Sequence, residues 1–177
     1  MEPKNNRRYK ISIIMIITIN EFKSYIVEKN GIKVFHGSKE KISNFDFNKI
    51  KGENGNSDYG WGAYFSARES SAKEYGENVA EFYIKNDADL LNWSSEPTQQ
   101  QIDKINKQLK LEGVSELSRY DGTTKSGATI YNNIYKQLGT KKKTSEFLSR
   151  AGIDGIRFYT KGETENYTIF SDNTIQK

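Results

Sequence analysis

The chain has 177 residues, 34% hydrophobic and 28% charged, a length that predicts one domain with enough Tyr and Phe to build its core. Cysteine is absent and histidine occurs once, at His36. Disulfides, thiolate or multi-histidine metal sites and cysteine nucleophiles are excluded, and only oxygen-ligand metals such as Mg²⁺ or Ca²⁺ stay open. The net charge of +4 permits weak attraction to phosphate-bearing partners without marking a nucleic-acid binder.

The apolar run at 11–19 is shorter than the roughly 20 residues a membrane span needs, so no span is expected. Lys4, Arg7, Arg8 and Lys10 ahead of it resemble the start of a secretory signal. The following Asn20-Glu-Phe-Lys-Ser-Tyr-Ile26 offers no small-x-small cleavage site, however, and a cytoplasmic protein is expected, in its own or a host cell. Thr18-Ile-Asn-Glu21 reads as a helix-starting capping box, with Phe22, Tyr25 and Ile26 at helical spacing. The Asn30-Gly31 pair that would stop this helix also fits a hairpin turn, and we take the helix. On either reading, residues 32–35 form a strand that delivers His36-Gly37-Ser38 at its end.

Residues 51–58 are polar and read as a loop, followed by the aromatic and glycine-rich Tyr59-Gly-Trp-Gly-Ala-Tyr-Phe-Ser66. Ser66-Ala-Arg-Glu69 reads as a second capping box, opening a short helix closed by Gly76. Residues 79–85 alternate, with Ala80, Phe82 and Ile84 on one face, and predict a half-buried strand. Three amphipathic helices follow: one opening at Thr98-Gln-Gln-Gln101, one carrying Ile130, Tyr131, Ile134, Tyr135 and Leu138 and ending at Gly139, and one at 145–151 stopped by Gly152. Lys141-Lys-Lys143 reads as a solvated approach to the last of them. Residues 155–159 and 167–170 read as strands separated by a polar loop at 160–165. Strands first and last with helices between give an α+β fold. We divide the chain into an extension at 1–31 and a domain at 32–177, with a mostly helical insertion at about 95–151.

Three places hold residues suited to chemistry. His36-Gly37-Ser38 sits at a strand end, though Gly-Ser is also ordinary turn chemistry. The glycines of Gly60-Trp-Gly62 allow close backbone approach to a ligand beside the stacking surface of Tyr64, though such aromatics are commonly core. Glu163-Thr-Glu165-Asn166 precedes the last strand and taken alone is a solvated acidic loop.

In this order the three resemble a known arrangement. Val34-Phe-His-Gly-Ser38, Phe45-Asp-Phe47, Tyr59-Gly-Trp-Gly-Ala-Tyr-Phe-Ser66, Leu90-Leu-Asn-Trp93, Ala151-Gly-Ile-Asp-Gly-Ile-Arg-Phe-Tyr159 and Asn166-Tyr-Thr-Ile-Phe-Ser-Asp-Asn173 carry it, from residue 32 to the C-terminus. The chain resembles ADP-ribosyltransferase domains of the diphtheria-toxin and poly(ADP-ribose) polymerase type, most closely those of phage and mobile-element polyvalent proteins. The resemblance implies a split antiparallel β core with inserted and flanking helices. It also implies NAD as cosubstrate, no metal, and transfer of ADP-ribose to a macromolecular acceptor, protein rather than nucleic acid, by a glycosyltransferase acting as a phage or mobile-element effector.

By the family pattern, His36 would hydrogen-bond the adenosine ribose and the backbone of Gly37 would hold the nicotinamide amide, with Ser38 and Gly62 as further cofactor-binding residues. Tyr64 would stack on the nicotinamide and Tyr75 would close its other face. The polymerase relatives carry a catalytic Glu where this chain has Asn166, which can bond the ribose hydroxyl but supplies no charge. The enzyme then works as a His-Tyr-Asn variant, is an inactive NAD-binding or structural module, or recruits Glu165 or Glu163. We take Asn166 to face the ribose with Glu165 as a nearby helper, although a shift of one residue turns a side chain to the opposite face of a strand. Glu163-Thr-Glu165 also echoes the Glu-x-Glu of arginine-modifying toxins, which begin with Arg where this chain has His36. NAD hydrolysis is a further alternative to transfer.

Overall fold

A computed structural model describes residues 31–50, 52, 58–114, 126–160 and 163–177. The capping box at Thr18, the apolar run at 11–19 and most of the polar stretch 51–58 lie outside these residues. Residues 32–177 form one compact unit. Among the described residues the architecture is α+β, a mixed seven-stranded sheet with four α-helices. The strands are β1 (Gly31–Ser38), β2 (Ala63–Ser66), β3 (Asn78–Lys85), β4 (Leu90–Asn92), β5 (Gly155–Thr160), β6 (Thr164–Ile169) and β7 (Ile175–Gln176). They lie side by side in the order β4-β5-β6-β2-β1-β3-β7. The pairs β5–β6, β6–β2, β2–β1 and β3–β7 are antiparallel, and β4 runs parallel to β5 at one edge.

Register decides which side chains share a face. Asn166 lies opposite both Ser66 and Phe158, while Thr168 lies opposite Tyr64 and Ile156. These six therefore project to one face of the sheet. Tyr167 lies opposite Phe65 and Arg157, and Glu165 opposite Tyr159, so these project to the other. The two faces carry separate cores. Ile156 and Phe158 join Leu91, Ile105, Ile130 and Phe147 under the helices, whereas Phe65, Tyr167 and Ile169 join Val34, Phe82 and Ile84.

The helices are α1 (Glu69–Lys73), α2 (Gln99–Leu111), α3 (Gly127–Leu138) and α4 (Lys141–Arg150). At α2 the predicted capping box is complete: Gln101 N–H donates to Thr98 Oγ1 at 3.2 Å and Thr98 N–H to Gln101 Oε1 at 3.0 Å. At α3 the predicted stop is Gly139, left-handed at φ 81°.

Four expectations are corrected. Ser66 does not cap α1. It ends β2, and its Oγ accepts from Arg68 N–H in a local turn, while Arg68 is the N-cap. Gly76 is not a left-handed helix stop; a Cβ there would meet the carbonyl carbon of Ser38 at 2.2 Å, so its role is close approach of α1's end to β1. Lys141-Lys-Lys143 is not an approach but the first turn of α4, capped by Thr140, whose Oγ1 accepts from Lys143 N–H at 3.2 Å. The polar loop at 160–165 is shorter than expected, because β6 begins at Thr164 and holds Glu165 and Asn166 within a strand.

Candidate functional site

Three elements carry the site. β1 brings His36 and Gly37 to its C-terminal end, β2 places Tyr64 and Ser66 beside it, and β6 places Asn166 opposite Ser66. Together with Tyr75, just past α1, these residues line one cavity of about 450 Å³. Residues widely separated in the chain thus meet at one place.

His36 is oriented before any ligand arrives. Its Nδ1–H donates to the Tyr64 carbonyl at 2.7 Å, and its ring meets Phe45 edge-on, centroids 5.1 Å apart. The tautomer follows from the partner: a carbonyl only accepts, so Nδ1 carries the proton and Nε2 keeps a lone pair. Burial pushes the imidazole below its ordinary value of 6.5, against the smaller opposite effect of the Tyr64 hydrogen bond. At neutral pH His36 is therefore an uncharged acceptor.

Tyr64 is held at its far end as well. Its hydroxyl donates to the Gly60 carbonyl at 2.7 Å. Gly60 adopts φ +92°, and the next residue's N–H, that of Trp61, donates to Tyr131 Oη at 3.3 Å and to Ser145 Oγ at 3.2 Å. Tyr131 in turn donates to the Lys141 carbonyl at 2.9 Å. Burial raises the Tyr131 phenol, which stays protonated and able to donate. Helices α3 and α4 thus buttress the turn that positions Tyr64.

Asn166 is 9% exposed and its amide is fully oriented. Nδ2 donates to the Thr164 carbonyl at 2.8 Å and to Thr160 Oγ1 at 3.1 Å. Because the Thr164 carbonyl can only accept, the amide cannot be flipped, and Oδ1 is its remaining acceptor. Asn166 can receive a hydroxyl's hydrogen bond as a carboxylate oxygen would, without the charge.

The remaining candidates have other placements. Gly37 lines the cavity and also packs tightly, since a Cβ would come 1.8 Å from the Ala72 carbonyl oxygen. Tyr75 stands at the rim, 74% exposed. Ser38 lies outside the lining, its hydroxyl donating to the Glu40 carbonyl. Gly62 is also outside; a Cβ there would meet the Ile169 carbonyl oxygen at 2.3 Å, so it serves β2–β6 packing. Glu165 faces away from the cavity: its Oε1 lies 3.6 Å from Arg157 Nη1 and accepts from Tyr159 Oη at 3.2 Å. Glu163, at φ 59°, occupies the turn before β6.

Sequence reading passed over part of the wall. Phe158 and Tyr59 stack face to face with centroids 3.8 Å apart, and both line the cavity along with Asp58, Thr160 and Ser66. Tyr59, Ser66 and Phe158 lay inside quoted motifs. Asp58 carried no local signal, because it ends a run of polar residues that looks solvated throughout. Among the described residues, no Lys or Arg lines the cavity. Among the described residues no cluster of His, Asp or Glu could hold a metal ion, and no helix is long and apolar enough to cross a membrane.

No curated protein and no solved structure gives a significant match to the chain. The family described as ADP-ribosyltransferase in polyvalent proteins matches residues 28–177, which include every strand and helix above. The motif order, the α+β sheet and this match agree, and the chain belongs to the ADP-ribosyltransferases of polyvalent proteins.

Proposed function

We propose that this protein is a NAD-dependent mono-ADP-ribosyltransferase of phage or mobile-element type that modifies a macromolecular acceptor, a protein rather than a nucleic acid. The observation that carries the reading is the convergence of His36, Gly37, Tyr64, Tyr75 and Asn166 on one cavity. Its volume of about 450 Å³ suits the nicotinamide-ribose end of a dinucleotide, since small-molecule sites run to roughly 300–1,000 Å³. His36 Nε2 accepts from a hydroxyl of the adenosine ribose. The Gly37 backbone meets the nicotinamide carboxamide, and Tyr64 and Tyr75 take the two faces of the cationic ring, each contact worth about 0.5–2 kcal/mol. Asn166 Oδ1 accepts from the nicotinamide-ribose 2′-hydroxyl. This reading invokes no metal.

A second reading is favoured by one observation, the neutral amide of Asn166: a module that binds NAD without splitting it. Incubating the protein with labelled NAD and a host lysate, followed by intact-mass analysis, separates the readings. Label on an acceptor or on the protein itself supports transfer. Free ADP-ribose without acceptor points to hydrolysis, and binding without nicotinamide release to the inactive module. Absence of both binding and turnover defeats the proposal.

A further inference from the structure

The carboxylate that the described residues bring to the cavity wall does not come from β6. Among the described residues, Asp58 is the only carboxylate in the lining. It directly precedes Tyr59, whose ring lies on Phe158 at 3.8 Å with planes 10° apart. Phe158 is the cross-strand partner of Asn166, and Thr160 of the same strand accepts from Asn166 Nδ2. Asp58 therefore joins the wall made by Tyr59, Phe158 and Asn166. Its side chain is exposed, and among the described residues no hydrogen bond or ion pair engages it. The other described lining residues are aromatic, amide, hydroxyl, imidazole or small, and none of them is a carboxylate.

The chemistry of the reading proposed above, on which this inference rests, calls for that charge. When the ribose C1′–N bond breaks, its electron pair goes to the nicotinamide nitrogen. Neutral nicotinamide leaves and positive charge develops on the ribosyl ring. An acceptor nucleophile, or water, then forms the new bond at C1′ and gives up its proton to solvent. We infer that Asp58 is the carboxylate that faces the developing ribosyl cation, so that anionic stabilisation and ribose hydrogen bonding, joined in one glutamate in the polymerase relatives, are divided here between Asp58 and Asn166. A fixed charge aimed at charge that develops in the transition state acts on kcat more than on binding.

The test compares wild type with Asp58→Asn and Asp58→Ser for NAD affinity, nicotinamide release at saturating NAD and melting temperature. Expected is a drop in release of about 10²-fold, the scale of losing one electrostatic stabiliser, with affinity and melting temperature nearly unchanged. Wild type that splits NAD, with both variants equally fast, overturns the assignment and leaves the proposed function standing. Variants that lose affinity and turnover in the same proportion overturn it too, since the charge would then act in binding alone. Wild type that binds NAD without splitting it also overturns it, and wild type that does neither overturns the proposed function as well.

Discussion

His36 and Tyr64 are tied across neighbouring strands, the imidazole Nδ1–H donating to the Tyr64 main-chain carbonyl at 2.7 Å. The residue whose ring lines the cavity thus also sets the tautomer and aim of the imidazole beside it. Any shift of β2 moves both, so the two behave as one unit. That unit rests in turn on Gly60, Tyr131 and Ser145.

Because His36 is held below its ordinary pKa of 6.5, the unfolded chain binds more protons between the folded value and 6.5. Its contribution to stability is complete above about 6.5 and is lost as pH falls through the folded value. His36→Gln removes that part of the acid slope. Urea unfolding of the two proteins across a pH series measures the difference. NAD affinity of the wild type falls over the same window as Nε2 takes up a proton, while that of the variant does not.

Gly60→Ala tests the buttress. At φ +92° an added Cβ is strained, and it would lie 3.1 Å from the Tyr131 ring. The backbone cost alone is about 1–2 kcal/mol. Denaturant unfolding reads that loss, and NAD affinity drops because the Tyr64 hydroxyl loses its fixed acceptor. Tyr64→Phe, which keeps the ring, costs roughly 0.5–1.5 kcal/mol in stability and weakens NAD binding less than Tyr64→Ala does.

Restoring a carboxylate on β6 is costly in this fold. Asn166 donates to a carbonyl that can only accept, so Asn166→Asp sets two oxygens against each other in a buried place. We expect a loss of about 1–3 kcal/mol at neutral pH, measured by urea unfolding. Asn166→Ala, by contrast, lowers nicotinamide release more than it lowers NAD affinity.

Glu165 stands on the face opposite Asn166, beside Arg157 and Tyr159. Glu165→Gln therefore leaves nicotinamide release unchanged. Its ion pair is substantially exposed, and losing it costs about 0–1 kcal/mol, read from thermal unfolding. A large fall in turnover in this variant would show that the strand presents its other face to the substrate.

Much of the architecture was legible along the chain. The Thr98 capping box, the Gly139 stop, the alternation of Phe82 and Ile84 and the strand at 32–35, which in the structure continues through His36 to Ser38, all arise from groups within a few residues of one another. Ser66 had the spacing of a cap, yet pairing opposite Asn166 extended its strand through that position. Gly37 and Gly62 carried no sign that the Ala72 and Ile169 carbonyls fill the space where a side chain would be. Such contacts join segments far apart in sequence, and no local pattern encodes them.

By itself the sequence determined the chemical inventory: one imidazole, no thiol, a family motif order with an amide in place of an acid, and the periodicities that make strands and helices. Only the tertiary structure decided who shares a wall. Strand parity turned Asn166 toward the cavity and Glu165 away from it, and the stacking of Tyr59 on Phe158 brought Asp58 to the same wall. The physical reason is that a strand's side chains alternate by position, whereas the neighbours they meet are chosen by register with strands from elsewhere in the chain.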